Sequence, residues 1–170
     1  MEAVSAFLDE VKSEHPKATH HCYAYRLGTD KELNYRSNDD GEPSGTAGKP
    51  ILGQIDSKGL SNVMVIVVRY FGGTKLGVSG LIGAYKTSAR MVLTESLIVE
   101  KEVEITFEIQ FAYLNMNEVM SLVKRYPLKI LYQSFDNQCQ IKIRMAKGQS
   151  ASLLKYLEEL EEIEVLWKNP

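Results

Sequence analysis

Apolar and polar residues alternate along the second half of the chain. Every second residue from Val103 to Phe111 is apolar, which predicts a strand with one buried face. A segment of helical period follows and ends at Pro127. Leu128–Phe135 can then form a strand, and an alternating segment from Cys139 to Met145 predicts a third strand. Another helical segment and a short final strand complete the order β-α-β-β-α-β. This order predicts an antiparallel sheet with both helices on one face.

The first half of the chain is less regular, although helical and strand-like segments still alternate. The pattern predicts an amphipathic helix before Pro16, a strand over Thr19–Leu27 and a fully buried strand over Val63–Val68. It also predicts a longer helix over Gly80–Ser96 that buries residues at helical spacing, namely Leu81, Tyr85, Ala89 and Val92. We therefore expect an α+β protein with a first domain at residues 1–100 and a second at residues 101–170.

Composition and charge exclude several classes of protein. The 170 residues are 44% hydrophobic and 25% charged, which is typical of a globular chain rather than a disordered or fibrous one. The 20 basic and 22 acidic residues give a net charge of −2, so the chain as a whole is not a basic nucleic-acid binder. No apolar run approaches the roughly 18 residues of a membrane span, and Met1–Glu14 lacks the basic start of a signal peptide. With two isolated cysteines, Cys22 and Cys139, we expect reduced thiols, a cytoplasmic location and no membrane partner.

A glycine-rich polar stretch, Arg69–Gly80, carries the strongest chemical signal and is called the second loop below. Its glycines would let the backbone approach a ligand, and the helix that follows would attract an anion at its N-terminus. The segment from Ser57 to Thr94 contains five basic residues and no acidic residue. Tyr70 and Phe71 are suited to stacking on nucleic-acid bases, although they also fit the core of a strand-to-helix turn with solvated lysines nearby.

We predict a phosphate or RNA site at the second loop and on the helix after it. Lys86 and Arg90 are four residues apart and therefore share one helix face. Ser79 is a candidate cap for that helix. The residues predicted to bind an anion or nucleic acid are Arg69, Tyr70, Gly72, Gly73, Lys75, Gly77, Ser79, Gly80, Lys86 and Arg90.

A second polar stretch, Arg36–Pro50, contains three acidic residues and is called the first loop. Its Gly48-Lys49 pair is not a phosphate-binding P-loop, because prolines stand where that motif needs Gly and Ser or Thr. Asp39, Asp40 and Glu42 could hold a cation, but acids paired with nearby bases are commoner, so we predict no metal and no cofactor. The residues predicted to form the opposite wall of a groove are His20, His21, Arg26, Asp39, Asp40, Glu42, Ser44, Thr46 and Gly48.

The two histidines, His20 and His21, are adjacent and should point to opposite faces of their strand. They are therefore not expected to line one pocket together. One of them could be a ligand, a base or a stacking partner, whereas a packed and hydrogen-bonded histidine is the commoner case. Cys22 lies on the small-residue side of the same strand, where a free cysteine usually serves packing.

The two loops resemble those of a known family. Asn38–Ile51, Val68–Gly77 and the preceding His20–Arg26 resemble the YigZ/Impact family, and the resemblance extends over nearly the whole chain. It implies a ribosomal protein S5 domain 2-like fold for residues 1–100 and a ferredoxin-like fold for residues 101–170, similar to the last two domains of elongation factor G. Relatives usually have a strand before the first helix, which is apparently missing here, and many have Ala-Gly in place of Val78-Ser79.

The resemblance and the basic second loop together suggest a function. The leading hypothesis is a non-enzymatic regulatory factor associated with translation, which binds RNA or the ribosome through the second loop. One alternative is a protein-docking module in translational control, as the eukaryotic Impact proteins imply. Another is a small-ligand hydrolase that uses His20 or His21 with Asp39 or Glu42. The site assignment requires the two loops to meet in one groove.

Overall fold

The computed structural model describes residues 2–28, 33–136, 138–160 and 162–167. The chain divides into two compact units, residues 1–98 (unit 1) and residues 99–170 (unit 2). Both units combine helices with an antiparallel sheet, so the mixed α and β class is confirmed. No helix within the described ranges has the length and apolar character needed to span a bilayer.

Unit 1 contains three helices and three strands among its described residues. In chain order they are α1 (Glu2–Glu14), β1 (His20–Leu27), β2 (Asn34–Asn38), α2 (Gly48–Ser57), β3 (Val63–Arg69) and α3 (Gly77–Glu95). The strands form one antiparallel sheet in the order β2-β1-β3. The core lies between the helices and this sheet and contains Cys22, Ala24, Ala47, Ile51, Ile55, Val65, Leu81, Tyr85, Ala89 and Leu93.

The position of β3 corrects the prediction that Val63–Val68 is fully buried. Only Val65 is buried, at 5% exposure, and its neighbours along the strand are half-buried. Among the described strands, β3 lies at an edge of the sheet and pairs with β1 alone. An apolar run therefore indicated a strand correctly but overstated its burial.

Helix α3 also differs from its prediction. It begins at Gly77 rather than Gly80. The preceding residue, Leu76, occupies the N-cap position and makes no side-chain hydrogen bond to the helix. Ser79 therefore lies inside the helix and does not cap it. The fourth buried residue is Leu93, whereas Val92 is 48% exposed, because the four-residue spacing of Leu81, Tyr85 and Ala89 continues unchanged.

Unit 2 has the predicted element order. It contains β4 (Glu104–Phe111), a short 3-10 helix (Tyr113–Asn115), α4 (Met116–Arg125), β5 (Leu128–Phe135), β6 (Cys139–Ala146), α5 (Lys147–Glu158) and β7 (Ile163–Trp167). The antiparallel strands are arranged in the order β5-β6-β4-β7. Its core is formed by the inward residues of β4 and β6 together with Val119, Leu122, Leu153 and Leu157 of the two helices.

Candidate nucleic-acid interface

The strand register brings the two loops to the same end of the sheet of unit 1. Both β2 and β3 run antiparallel to the central strand β1, so both end beside its first residues. His20 pairs with Arg69, where the second loop begins, and Tyr23 pairs with Asn38, where β2 ends within the first loop. The two loops therefore start on either side of β1.

A buried acid joins the two loops. The side chain of Glu42, in the first loop, is 4% exposed. Its Oε1 accepts hydrogen bonds from Arg69 Nη1 at 2.5 Å and from the Tyr85 hydroxyl at 2.8 Å, and His20 Nε2 lies 3.7 Å away. Together with Cys22, we call these residues the Glu42 cluster. Burial acts to raise the pKa of Glu42, but the hydrogen bonds from Tyr85 and Arg69 outweigh it and lower the pKa.

Tyr85 and Cys22 extend the Glu42 cluster into the core. The Cys22 Sγ is 3.3 Å from the Tyr85 hydroxyl and 2.9 Å from the Asp39 carbonyl oxygen. Burial raises the pKa of Cys22 to about 11, and burial also raises the pKa of Tyr85. Both groups therefore stay protonated at neutral pH, and Cys22 is not a reactive thiolate.

Asp39 holds the first loop in shape. Its Oδ1 accepts the backbone N–H groups of Ala47 at 3.0 Å and Gly48 at 2.8 Å, and its Oδ2 accepts that of Gly45 at 2.8 Å. Burial acts to raise the pKa of Asp39, but these three hydrogen bonds dominate and lower it. The carboxylate thus satisfies free N–H groups at the start of α2 and is committed to the fold.

Acidic pH should destabilise unit 1, because Asp39 and Glu42 both have lowered pKa values in the folded chain. The unfolded chain has ordinary carboxyl pKa values of about 4 and takes up protons first as the pH falls. The stabilisation is therefore complete above about pH 5 and is lost progressively below it. Hydrogen exchange of the Cys22 and Ala24 amides, measured from neutral to acidic pH with correction for intrinsic rates, would test this. Unchanged protection down to about pH 3 would contradict it.

Gly48 is required by close packing. A Cβ at this position would lie 2.6 Å from the backbone nitrogen of Asn38 and 2.9 Å from its carbonyl carbon. We expect Gly48→Ala to lower the free energy of unfolding of unit 1 by about 1–3 kcal/mol, since the first turn of α2 must move away from the end of β2. Denaturant titration followed by circular dichroism would measure the change.

Gly53 provides the matched control on the same helix. A Cβ there would meet nothing within 4 Å, so Gly53→Ala should stabilise α2 by up to about 1 kcal/mol. If both substitutions changed the free energy of unfolding equally, the close packing of Gly48 against Asn38 would not contribute to stability.

Both histidines contact Asp40 of the first loop. His20 Nδ1 donates to the Asp40 carbonyl oxygen at 2.7 Å, and the His21 backbone N–H donates to the Asp40 carboxylate at 2.6 Å. The His21 ring donates from Nε2 to the His15 carbonyl oxygen at 3.2 Å, and its Nδ1 lies 3.8 Å from the Asp40 carboxylate. Both rings are therefore hydrogen-bonded and both lie near Asp40, although adjacent strand residues face opposite sides. Within the described residues, no three His, Cys, Asp or Glu side chains converge as metal ligands would.

The three remaining predicted wall residues make no hydrogen bond to the Glu42 cluster among the described residues. Arg26 lies at the far end of β1, where its Nε donates to Asp56 at 2.6 Å, so its assignment to the groove was wrong. Thr46 is buried and donates to the Pro43 carbonyl oxygen at 2.7 Å. Ser44 is exposed on the first loop.

The second loop is exposed, in contrast to the alternative that placed its aromatic residues in the core. Tyr70 is 56% exposed and Phe71 is 49% exposed. Gly72, Gly73, Lys75 and Gly77 are also exposed, and Gly80 is half-buried in α3. No hydrogen bond or ion pair among the described residues joins Gly72–Gly80 to the first loop, whereas Arg69 is bound to Glu42 of that loop.

The basic residues of the predicted site fall into two groups. Arg69 is bound to Glu42 and is 18% exposed, so it is not free to bind a phosphate. Lys75, Lys86 and Arg90 are exposed and take part in no ion pair among the described residues. Lys86 and Arg90 lie one turn apart on α3, beside the buried positions Tyr85 and Ala89.

The sequence pattern around Tyr85 gave no sign of a polar role. Its position in the helical repeat indicated only a core residue. A buried tyrosine usually needs a partner for its hydroxyl, and that rule alone could have suggested a polar contact in the core. The identity of the partner depends on the fold, because Glu42 is 43 residues away in the chain.

Comparison with known proteins identifies the family. Residues 1–93, more than half of the chain, match the Impact N-terminal domain. The chain therefore belongs to the Impact family, which confirms the resemblance that the two loops indicated.

The similar proteins include bacterial and mammalian relatives. The chain is 37% identical over 139 residues to the IMPACT family member YigZ of Escherichia coli (strain K12), covering 79% of this chain and 68% of that protein. It is equally similar over the same length to an IMPACT family member of Haemophilus influenzae, of which it covers 66%. The chain thus spans about two thirds of these two relatives. It is also 40% identical over 62 residues to Protein IMPACT of Rattus norvegicus, covering 35% of this chain and 19% of that protein.

A solved structure supports the overall fold. A crystal structure of a hypothetical protein superposes with a TM-score of 0.66 at 29% sequence identity, covering 99% of this chain and 84% of that one.

Proposed function

We propose that this protein is a non-enzymatic regulatory factor associated with translation, which binds RNA through the second loop and the exposed face of α3. The observation that carries the proposal is a set of three exposed basic side chains without ionic partners in the described chain: Lys75, Lys86 and Arg90. They lie in a segment of five basic and no acidic residues within a chain of net charge −2. Such a local concentration of positive charge favours a phosphate backbone as ligand.

The proposal includes the fold of each unit. The strand order β5-β6-β4-β7, with its antiparallel pairs, supports a ferredoxin-like fold for unit 2. For unit 1 we propose the S5 domain 2-like fold that the family resemblance implies. Two such domains in tandem resemble a part of elongation factor G, which supports a role at the ribosome in the cytoplasm.

The hydrolase alternative has little support from the geometry. Both acids assigned to it are engaged: Asp39 by three backbone N–H groups, and Glu42 by Arg69 and Tyr85. A general base needs a lone pair within reach of substrate, and these carboxylates are occupied by the fold.

A protein-docking function is the second candidate. Three apolar side chains adjoin the basic residues and are exposed: Leu76 at 49%, Val78 at 59% and Ile82 at 38%. Exposed apolar residues beside charged ones are also typical of protein interfaces. The experiment below therefore distinguishes an RNA ligand from a protein partner.

We expect the triple variant Lys75→Ala, Lys86→Ala, Arg90→Ala to bind structured RNA at least about tenfold more weakly than the natural chain. The magnitude of the slope of log affinity against log salt should fall by about 2–3, since each lost phosphate contact contributes about 0.7 in a single strand and about 0.9 in a duplex. Filter binding at several salt concentrations would measure both quantities.

The matched control removes three positive charges from unit 2 instead of unit 1. Lys124, Arg125 and Lys129 are exposed in unit 2, and their joint replacement by alanine should leave the affinity and the salt slope nearly unchanged. Equal losses in both triple variants would mean that only net charge matters. A natural chain that binds no RNA but captures a nuclease-resistant protein partner would favour the docking candidate.

A further inference from the structure

Two adjacent aromatic rings are exposed where β3 ends. Tyr70 and Phe71 are 56% and 49% exposed and follow directly on Arg69, the last residue of the strand. Folding does not need these rings in the core, which is formed by other residues. A consecutive pair of exposed rings is a feature that base-stacking proteins use.

Both rings are held in place although they are exposed. The Tyr70 hydroxyl shares a hydrogen bond of 2.9 Å with His15 Nδ1, and the two rings meet edge to face at 77°. The Phe71 N–H donates to the Thr19 hydroxyl at 3.3 Å. Ordered side chains lose little conformational entropy when a ligand binds, so this pair is prepared for a planar partner.

The Glu42 cluster contributes to this order. The Arg69 guanidinium carbon lies 5.6 Å from the centre of the Phe71 ring, a cation–π distance. Glu42 holds the same guanidinium through its ion pair with Arg69 Nη1. The buried acid therefore positions Arg69, and Arg69 positions Phe71, which explains how a committed arginine still serves the exposed loop.

The chain beyond the rings leaves them uncovered. A Cβ added at Gly72 would meet nothing within 4 Å, and Gly72 has no positive φ, so neither packing nor backbone conformation requires glycine there. Glycine instead leaves the space beside its own Cα open, directly after Phe71 in the chain. Lys75, three residues further on, is the nearest basic side chain in sequence that has no ionic partner in the described chain.

We propose that Tyr70 and Phe71 each stack on an unpaired base, so that the RNA ligand is single-stranded or looped rather than duplex. Lys75 would bind a phosphate of the same strand. In a duplex each base already stacks on its neighbours and its face is hidden, so the two rings have nothing to contact. The inference rests on the proposed RNA function and adds the class of RNA. An acidic peptide with aromatic residues is the competing ligand, and it is an outcome of the test.

The test compares an unstructured RNA of about 12 nucleotides with a blunt duplex of the same sequence, by fluorescence anisotropy. The natural chain should bind the single strand more tightly. Tyr70→Leu with Phe71→Leu should lose about tenfold or more in affinity for the single strand, keep its affinity for the duplex and keep the salt slope, because the rings are uncharged. Phe71→Tyr alone retains both rings and the hydrogen bond between Tyr70 and His15, and it should bind as the natural chain does.

A second variant keeps the test informative if the double leucine variant misfolds. At Gly72 the first added side-chain carbon meets no atom within 4 Å other than its chain neighbours, so Gly72→Leu should weaken single-strand binding several-fold with little change in thermal stability. If neither the leucine pair nor Gly72→Leu weakens binding of the single strand, the stacking proposal is wrong. If the basic triple variant still weakens that binding, the proposed RNA function stands. Failure of the natural chain to bind either RNA would instead overturn the proposed function, and binding of an acidic aromatic peptide would identify the competing ligand.

Discussion

Replacing Glu42 by alanine is expected to lower the free energy of unfolding of unit 1 by about 3 kcal/mol, the largest effect of any single substitution considered. The alanine would leave the Arg69 guanidinium and the Tyr85 hydroxyl without their shared acceptor. Removing one partner of a buried ion pair typically costs about 3–5 kcal/mol, and Arg69 is 18% exposed, which favours the lower end of that range.

The measurement must report on unit 1 alone, because a chain of two compact units need not unfold in a single step. Native-state hydrogen exchange of the Cys22 and Ala24 amides meets this requirement, since both residues are fully buried in β1. Glu10→Ala removes an exposed acid from α1 and should change stability by less than about 0.5 kcal/mol. If the free energy of unfolding of Glu42→Ala lay within about 1 kcal/mol of that of the natural chain, water would have to replace the lost contacts, which contradicts the burial of the Glu42 cluster.

Asp39→Asn is expected to have the second largest effect, a loss of about 2–3 kcal/mol. The substitution keeps the size of the side chain but removes the charge that strengthens three hydrogen bonds, from Gly45, Ala47 and Gly48. The amide NH2 of asparagine would also face at least one N–H group, leaving a donor opposite a donor. The same hydrogen-exchange measurement applies.

The pH dependence separates this role from simple packing. The natural chain should lose protection at acidic pH, whereas Asp39→Asn should lose less on acidification, since it has no carboxylate left to protonate at that position. Asp56→Asn is a suitable control, because Asp56 pairs with Arg26 at the other end of the sheet. If Asp39→Asn were as stable as the natural chain and as sensitive to acid, the hydrogen bonds of Asp39 would not hold the first loop.

The secondary structure of unit 2 could be predicted almost completely because its pattern is local. Apolar residues that alternate along Glu104–Phe111 and Cys139–Ala146 reflect strands with one buried face, and the structure has both strands. The predictions that failed in unit 1 depended on neighbours. The burial of Val63–Val68 depends on how many strands flank β3, and the start of α3 depends on the turn at Gly77, where φ is +69°.

The sequence alone could group the residues of the two loops, but it could not say which of them the fold engages. The sequence alone indicated two glycine-rich loops, an excess of positive charge from Ser57 to Thr94 and the family to which the chain belongs. It grouped Arg69 with Lys75 because both are basic and close in the chain. The structure separates them, since Arg69 binds Glu42 and Lys75 is exposed.

The amino-acid order by itself therefore determined the element types, the composition of the loops and the sign of their charge, because each of these depends on residues that are near one another in the chain. Only the tertiary structure decided which charges are neutralised and which side chains remain available to a ligand. The antiparallel register of β1 with β2 and β3 brings Glu42 to Arg69 and Tyr85, partners that lie 27 and 43 residues away. No local pattern specifies such a contact, because it forms only when three strands and a helix pack together.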